Sequence, residues 1–314
     1  MEEDQRGDTT APVVLLLFNR PGVTRQVVDR VAQARPRSVY LVADGPRPDS
    51  PADADLCAEV REIATSAGWQ GEVHTLFAET NMGLKARVSS GLDWVFDNEE
   101  SAIILEDDCL ADPSFFPFAT ELLNRYADNP EIGVVSGNNF LRGRNVDDNS
   151  YYFSPDVRIW GWATWSRVWK DFSQNGLNHQ WSVDEARQAV SRIQSSARRQ
   201  SLIREADNVH RLNSWALPFV LHAQREDYLS IVPRENLVTN IGFGADSTHT
   251  KFESFTAEVP TKSIDFPLVH PGRTQAHPTA GALEARLERW EWVSYPLRHP
   301  LDVLGRAWRY LRRR

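Results

Sequence analysis

The sequence of 314 residues has few cysteines and no long apolar run. Its two cysteines, Cys57 and Cys109, lack metal-ligand spacing and fall in segments that we expect to be packed, which indicates buried free thiols in a reducing compartment. No apolar stretch reaches the roughly 20 residues of a membrane-spanning helix, and the acidic, polar start of the chain, residues 1–10, does not resemble a secretory signal. We therefore predict a cytoplasmic location.

Two common nucleotide-binding motifs are also missing. No G-x-G-x-x-G follows the first predicted strand, and no G-x-x-x-x-G-K-[ST] occurs in the chain, so neither a dinucleotide site nor a P-loop is expected. The formal net charge of −8 argues against a nucleic-acid-binding surface. The composition is that of a soluble globular protein, and the length suits one two-part domain or two small ones.

The first 140 residues alternate apolar strands with amphipathic helices. The predicted strands are 12–18, 38–43, 72–78 and 102–105, and the helices between them are 21–34, 52–67 and 84–96. This alternation is typical of parallel strands joined by helical crossovers. It predicts an α/β fold with a mostly parallel central sheet flanked by helices.

An acidic triplet, Glu106-Asp107-Asp108, follows the apolar run 102–105. Asp112 and Pro113 have the character of an N-cap and a first helical residue. The triplet would therefore lie on a strand-to-helix loop, at the sheet edge where α/β proteins bind ligands. Because three adjacent carboxylates repel one another, a divalent cation such as Mg²⁺ or Mn²⁺ would relieve the repulsion. The alternative is a solvated acidic turn.

Two further predicted strands end in polar loops, one carrying Asn19 and Arg20 and the other Asp44. The carboxyl ends of parallel strands meet at one edge, so these side chains should lie near the triplet. Arg20 could contact a phosphate, Asp44 could accept a hydrogen bond from a base or a ribose, and the cation would bridge the phosphates. Taken singly, Arg20 could instead form a surface salt bridge, and Asp44 could belong to an ordinary turn.

Four segments, FNRP, VADGP, NMGLKARVSSGLDWVF and IILEDDCLADPSFFPF, resemble the metal-dependent GT-A glycosyltransferases. The resemblance includes the N-acetylglucosaminyltransferase I family and bacterial nucleotide-diphospho-sugar transferases. It implies a GT-A (Rossmann-like) fold and an inverting reaction. It also implies that Asp108 ligates Mn²⁺, that Glu106 and Asp107 hold the ribose or the donor sugar, and that Asp44 recognises the base.

Two basic residues, Lys85 and Arg87, lie at the start of the helix that follows Asn81 and Gly83. They could face the diphosphate of a donor. The alternative is that they belong to a solvated face of that helix.

A tryptophan-rich segment contains Trp160-Gly161-Trp162, followed by Trp165 and Trp169. Trp160 and Trp162 could stack on a sugar ring, and the segment resembles the WGW stretch that shapes acceptor sites in some GT-A enzymes, although the acidic residues that follow there are missing here. The helical spacing of Trp162, Trp165 and Trp169 alternatively predicts a packed helix face, which would account for the last two.

The catalytic base is less clearly marked in the sequence. An inverting transfer needs a carboxylate to take the proton of the acceptor hydroxyl. The related enzymes have an acidic residue beside the tryptophan that corresponds to Trp215, but this chain reads Leu-Asn-Ser before it. The candidates are Asp207 and Asp246, and Glu205 is a weaker candidate. Asp207 and Glu205 could also lie on a solvated helix face.

Two features near the C-terminus add hypotheses. His249 lies in a glycine-rich loop and could complete the metal shell, or it could simply be solvated. Residues 298–314 contain six arginines and one aspartate, and their apolar residues share one helical face. This pattern predicts a basic amphipathic helix that could lie on an anionic membrane, with a frayed terminal helix as the alternative.

The predicted organisation starts with a disordered lead-in over 1–11. A nucleotide-sugar-binding half (12–140), an acceptor-binding and metal-completing half (141–275) and C-terminal helices with a basic tail (276–314) follow. The predicted function is transfer of a sugar from a nucleotide-diphosphate donor, such as a UDP-sugar, to a hydroxyl of a glycan, lipid-linked or small-molecule acceptor, with Mn²⁺ or Mg²⁺ as cofactor. The alternatives are a sugar nucleotidyltransferase and a catalytically degenerate carbohydrate-binding domain.

Overall fold

A computed structural model describes residues 11–206, 208–242 and 259–298. The strands are β1 (Val13–Leu17), β2 (Ser38–Ala43), β3 (Glu72–Phe77), β4 (Ser101–Glu106), β5 (Cys109–Ala111), β6 (Ile132–Ser136), β7 (Tyr151–Ser154), β8 (Trp162–Trp165), β9 (Leu229–Pro233) and β10 (Val238–Asn240). The α-helices are α1 (Pro21–Ala34), α2 (Asp53–Thr65), α3 (Leu84–Asn98), α4 (Phe115–Arg125), α5 (Ser166–Asn175), α6 (Val183–Ala189), α7 (Ser196–Ala206), α8 (Ala216–Arg225) and α9 (Ala280–Arg298).

Eight of these strands form one sheet in the order β3-β2-β1-β4-β8-β6-β9-β7. The pairs β1–β2, β2–β3, β1–β4 and β6–β9 are parallel. β8 is antiparallel to both β4 and β6, and β7 is antiparallel to β9. β5 and β10 form a separate antiparallel pair. The predicted α/β fold with a mostly parallel central sheet is confirmed.

Most residues of the central strands are buried, and the helices α2, α3 and α4 contact the strands β2 and β4. Every residue of β1 and β2 is buried, which explains their unbroken apolar runs. The edge strand β3 is more exposed and carries Glu72 and His74, as expected for a strand with one unpaired side.

The predicted helical face of Trp162, Trp165 and Trp169 was wrong for its first two members. Trp162 and Trp165 are the ends of β8, and α5 begins only at Ser166. A spacing of three residues fits one face of a helix, but it places side chains on opposite faces of a strand. Trp169 does lie on α5 and is buried there, as predicted.

The helix after the acidic triplet begins later than predicted. β5 intervenes, and α4 starts at Phe115 with Ser114 as its N-cap. Asp112 is not the N-cap, since its Oδ1 accepts hydrogen bonds from the backbone N (2.9 Å) and the Oγ (2.6 Å) of Ser114 in the turn before the helix.

The sheet order places a ligand-binding crevice at one position. From β1 the chain proceeds outward to β2 and β3, then returns to β4 on the other side of β1. The strand order therefore reverses between β1 and β4, and open α/β sheets bind ligands beyond the carboxyl ends of the strands at such a point. In the described part of the chain, no helix has the length and apolarity to cross a membrane. The predicted amphipathic helix lies outside the described residues beyond Arg298.

Candidate functional site

The carboxyl ends of β1, β2 and β4 open into a cleft with a volume of about 490 Å³. Most of the residues that the sequence nominated line this cleft: Asn19, Arg20, Asp44, Arg87, Glu106, Asp107, Asp108 and Trp160. The fold therefore brings together side chains from three successive strand ends.

Arg20 forms ion pairs with the acidic triplet. Its Nη2 contacts Asp107 Oδ1 and lies 3.0 Å from Asp108 Oδ2, while its Nε donates to Asp107 Oδ2 at 3.3 Å. Burial alone would lower the pKa of Arg20, but Asp107 and then Asp108 raise it above its usual value. In this structure Arg20 thus contacts carboxylates in the place where a phosphate was predicted.

The triplet is crowded with negative charge despite this arginine. Burial, followed by the charges of Asp108 and Asp107, raises the pKa of Glu106 to about 8. Burial also raises the pKa of Asp107 to about 6, against the opposing effect of Arg20. Burial is the main cause of both raised pKa values, and the neighbouring carboxylates add to it, so a cation bound beside them would favour their ionised form.

We tested whether these residues suit the divalent cation that the sequence implied. The donor set consists of carboxylate oxygens, which Mg²⁺ and Mn²⁺ prefer. Both oxygens of Asp107 are engaged by Arg20, whereas Asp108 Oδ1 contacts only the thiol of Cys109, at 3.7 Å, among the hydrogen bonds of the described residues. Asp108 and Glu106 therefore fit the cation best.

A second group of possible cation ligands, Asp171, His222 and Glu226, is already paired with side chains of the protein. The ligand atoms of Asp171, His222 and Glu226 all lie within 4.8 Å of one another. His222 Nε2 is 2.8 Å from Asp171 Oδ2, and its Nδ1 is 3.0 Å from Nη2 of Arg225. A cation would have to displace these contacts beside a guanidinium, and none of these residues lines the cleft.

The segment that ends at Gly242 packs directly against the triplet. Asn240 pairs with Cys109 in the β5–β10 ladder, and Ile241 N donates to Asp108 O at 2.8 Å. A Cβ placed on Gly242 would be 2.2 Å from Asp108 Oδ2, so a larger residue would not fit without movement. The described chain thus contacts the triplet at Gly242. Asp246 and His249 belong to residues 243–258, which are outside the described residues.

Asp44 holds the loop that precedes α3. Its Oδ1 accepts from the backbone N of Gly45 and of Met82, both at 2.8 Å, and its Oδ2 accepts from Asn81 Nδ2 (3.0 Å) and Gly83 N (3.1 Å). A carboxylate offers about four acceptor positions, so these bonds use its capacity. The predicted role of Asp44 in recognising a base does not fit this geometry.

Arg87 is the least satisfied charge in the cleft. Its side chain extends from α3 with the residue only 6% exposed, and Nη1 contacts the sulfur of Met82 at 3.7 Å. Its Nε and Nη2 are buried without a hydrogen-bond partner among residues 11–206, 208–242 and 259–298. Burial lowers the pKa of Arg87, and only the nearby charge of Asp44 opposes this effect.

Two other predicted donor-binding residues serve the fold. The Nζ of Lys85 donates to Asn178 Oδ1 at 3.1 Å, and Lys85 does not line the cleft. The Nδ2 of Asn19 donates to Asp53 Oδ1 at 2.9 Å, although Asn19 remains on the wall of the cleft. Hydrogen bonding from Arg47 is the main reason that the pKa of Asp53 lies below its usual range. The predicted role of Lys85 at the diphosphate is therefore not supported by its position.

The acceptor candidates differ sharply in their environment. Trp160 is half-buried and lines the cleft. Trp162 is 1% exposed, and its ring stacks on Trp215 with centroids 5.7 Å apart. Trp162 is thus a core residue, and its predicted contact with an acceptor sugar does not fit.

The candidates for the catalytic base lie mostly outside the described residues, which include neither Asp207 nor Asp246. Glu205 is exposed on α7 and accepts a hydrogen bond from Ser201 Oγ at 2.7 Å on the same helix. It does not line the cleft, so the solvated helix face is the better description of Glu205.

Sequence reasoning missed three asparagines on the cleft wall: Asn81, Asn213 and Asn240. Asn213 Oδ1 accepts from the backbone N of Lys85 at 3.1 Å and so satisfies a donor at the start of α3. The sequence offered one signal for Asn213, since it precedes Trp215 where the related enzymes have an acidic residue. Asn240 lies on a three-residue strand, which is too short to show a periodic pattern.

Comparison with known proteins finds similarity only among solved structures. No family model matches the chain, and no curated protein matches it. One similar structure is 4-diphosphocytidyl-2C-methyl-D-erythritol synthase from Anaerococcus prevotii, with 12% identity, a TM-score of 0.35, and coverage of 57% of this chain and 81% of that one. Another is UDP-glucose pyrophosphorylase complexed with UDP-glucose, with 10% identity, a TM-score of 0.34, and coverage of 72% and 91%. At these scores the similarity carries no argument about function.

Proposed function

We propose that the cleft binds a nucleoside-diphosphate sugar and that the protein is a metal-dependent, inverting glycosyltransferase. The observation that carries this proposal is Arg87, a buried residue of the cleft wall whose Nε and Nη2 have no hydrogen-bond partner among the described residues. The acidic triplet lines the same cleft. Arg87 is suited to binding an anion, and the acidic triplet is suited to binding a cation. A diphosphate with its divalent cation supplies both.

The unpaired edge of Arg87 is suited to a phosphate. A buried charge without a partner costs several kcal/mol, which an anionic ligand would offset. Nε and Nη2 lie along one side of the planar guanidinium, where two parallel N–H groups can donate to two oxygens of one phosphate. The ligand at Arg87 is therefore proposed to be the diphosphate of the donor.

The cation would be held by Asp108 and Glu106, with His249 as a further candidate ligand. When bound, the cation neutralises the charge that develops on the leaving diphosphate. Asp107 remains a candidate to contact the ribose or the donor sugar, once Arg20 no longer engages both of its oxygens.

The remaining parts of the reaction involve the sugar and the acceptor. The half-buried ring of Trp160 lines the cleft and offers an apolar surface for a sugar ring. The base that takes the proton of the acceptor hydroxyl is proposed to be Asp207 or Asp246. The acceptor is proposed to be a glycan, a lipid-linked sugar or a small molecule.

A degenerate binding domain is a second candidate, favoured by one observation. Asn213 lies on the cleft wall close to the position where the related enzymes have an acidic residue, and an amide cannot act as a general base. A sugar nucleotidyltransferase is a further candidate, since it would use the same sheet edge and cation. The loop after β1, Asn19-Arg20-Pro21-Gly22, offers only one basic side chain to hold a triphosphate.

A product assay separates these functions. The protein is incubated with UDP-, GDP-, CDP- and dTDP-sugars and Mn²⁺, with and without pyrophosphate, and nucleotides are separated by chromatography. Release of a nucleoside diphosphate that a hydroxyl acceptor accelerates supports glycosyl transfer. Formation of a nucleoside triphosphate only with pyrophosphate indicates nucleotidyl transfer, and binding without either product indicates a binding domain.

The variant Asp108→Asn serves to connect activity with the triplet. We expect it to abolish product formation, because it removes a proposed cation ligand. Asp97→Asn is the matched control, since Asp97 lies at the end of α3 with its side chain 72% exposed. Equal loss in both variants, or full activity of Asp108→Asn, would contradict the proposed role of the triplet.

A further inference from the structure

Arg20 occupies the position that a cation would take at the acidic triplet. Its guanidinium bridges Asp107 and Asp108, with Nη2 in contact with both carboxylates. The side chain also lines the cleft and is 27% exposed, so it has access to a ligand as well as to the triplet.

From this geometry we infer that Arg20 is a positioning residue that competes with the divalent cation. It holds Asp107 and Asp108 when neither ligand is bound, and it moves to the diphosphate when cation and nucleotide bind. This inference rests on the proposed function and adds to it a coupling between the two ligands.

Charge repulsion explains why the cation and Arg20 would not share the triplet. A small divalent cation binds a carboxylate oxygen at roughly 2.0–2.2 Å. Arg20 Nη2 is 3.0 Å from Asp108 Oδ2, so a cation on the same carboxylate would lie within a few ångströms of a full positive charge. Like charges at that distance in a partly buried site repel strongly.

The packing around Arg20 leaves little room for its guanidinium to shift slightly and share Asp108 with a cation. A Cβ on Gly242 would be 2.2 Å from Asp108 Oδ2 and 2.7 Å from Arg20 Nη1. The backbone at Gly242 therefore covers the ion pair on one side. The open side faces the cleft, which is the direction in which the guanidinium can move.

A bound diphosphate gives Arg20 an equivalent partner. Its guanidinium can pair with phosphate oxygens as it does with carboxylate oxygens. Arg20 would then exchange one anionic partner for another, which would free Asp108 for the cation and Asp107 for the ribose or the donor sugar. The two ligands would bind more tightly together than singly because each removes an obstacle to the other.

The test measures Mn²⁺ binding to the nucleotide-free protein by electron paramagnetic resonance, in wild type, Arg20→Gln and Arg20→Lys. We expect Arg20→Gln to bind Mn²⁺ about 10-fold more tightly or better, since residues around a metal site typically change affinity by about 10–100-fold. Arg20→Lys, which keeps a charge but not the bridging fork, should fall between the two. Arg37→Gln is the matched control, because it removes an exposed arginine that pairs with Glu99 outside the cleft.

A second measurement distinguishes competition from structural damage. The affinity for UDP, GDP, CDP and dTDP in saturating Mn²⁺, measured by calorimetry, should fall in Arg20→Gln for the nucleotide that wild type binds. Mn²⁺ affinity and nucleotide affinity therefore change in opposite directions, whereas a misfolded cleft would weaken both.

The outcomes separate this inference from the proposed function. If wild type binds Mn²⁺ with a nucleotide present but Arg20→Gln gains no affinity for Mn²⁺ alone, the role of Arg20 is overturned and the proposed function stands. If wild type binds no Mn²⁺ even with every nucleotide, the metal-dependent function itself fails.

Discussion

Two arginines in different parts of the molecule show how a completed charge cluster differs from an incomplete one. Arg158 Nη2 lies 2.7 Å from Asp156 Oδ2 and 2.5 Å from Glu284 Oε1. Arg87 has Met82 as its only hydrogen-bond contact among the described residues, and two of its nitrogens are buried without a partner. The first arginine is paired with anions of the fold, and the second has no paired anion among the described residues.

The pKa values of the two arginines express the same difference. Burial lowers the pKa of both. At Arg158 the charges of Asp156 and Glu284 outweigh burial, and the pKa lies above its usual value. At Arg87 the nearby charge of Asp44 does not outweigh burial, and the pKa is lowered. Arg158 thus has its anions within the fold, whereas the anion of Arg87 is the ligand in the proposed function.

The largest effect should come from removing the arginine of the complete cluster. Arg158→Met leaves Asp156 and Glu284 with only the longer contact from Arg198, whose Nε lies 3.5 Å from Asp156 Oδ1. The free energy of unfolding should therefore fall by about 3 kcal/mol, the lower end for a broken buried ion pair. Urea denaturation followed by circular dichroism measures this. Arg187→Met is the control, since Arg187 pairs with Asp184 on the surface, and it should unfold like wild type. If Arg158→Met is as stable as wild type, the claim that Arg158 stabilises the fold is contradicted.

Arg87→Met should have the opposite profile. Because no carboxylate of the described residues pairs with this guanidinium, we expect unfolding at the same or a higher urea concentration than wild type. Nucleotide affinity should fall at least about ten-fold, as charged hydrogen bonds contribute about 1.5–3 kcal/mol each. Calorimetry and denaturation on the same sample measure both. Severe destabilisation with unchanged nucleotide affinity would assign Arg87 to the fold.

Gly242→Ala tests the packing around the triplet. The new Cβ would meet Asp108 Oδ2 and Arg20 Nη1, and overpacking of this kind costs typically about 1–3 kcal/mol. We expect a lower melting temperature and weaker stabilisation by Mn²⁺ with nucleotide. Gly272→Ala is the control, because nothing lies within 4 Å of its added Cβ. If both variants melt at the wild-type temperature, the close approach at Gly242 is not a constraint.

The smallest effect is a pH dependence at the Asp171–His222–Glu226 group. Burial lowers the pKa of His222 from its usual 6.5, against the opposing effect of Asp171. As the pH falls below about 6.5, the unfolded chain takes up a proton that the folded chain does not, so this histidine reduces stability in acid. His222→Gln should therefore lose less stability than wild type between pH 7 and 5. His74→Gln is the control, because His74 is half-exposed. If His222→Gln loses more stability than wild type between pH 7 and 5, the predicted direction of the pH dependence is contradicted.

The strands and helices that surround the cleft could be predicted from the sequence because their patterns are local. The runs at 12–18 and 38–43 are continuous and apolar, and the structure has β1 and β2 within them. The order of polar residues after these strands then placed Arg20, Asp44 and the triplet at one edge. Residues that follow parallel strands lie at the same edge of the sheet, which is why this part of the site could be predicted from the sequence.

What could not be predicted depends on contacts between distant segments. Four hydrogen bonds engage Asp44, and three of them come from residues 81–83. Lys85 turns to Asn178, which is 93 residues away in the chain. The spacing of Trp162 and Trp165 fits a helix, but pairing of β8 with β4 and β6 decides for a strand. The sequence named Arg87, but only the structure shows that its Nε and Nη2 have no hydrogen-bond partner among the described residues.

The most direct test of the account is a thermal-shift titration with UDP, GDP, CDP and dTDP, with and without Mn²⁺, on wild type, Arg87→Met and Asp108→Ala. A ligand that binds the folded state raises the melting temperature. The account predicts that at least one nucleotide stabilises wild type, that Mn²⁺ increases this stabilisation, and that Arg87→Met and Asp108→Ala both lose most of it. Stabilisation by no nucleotide, or equal stabilisation of all three proteins, would contradict the claim that this cleft binds a nucleoside diphosphate.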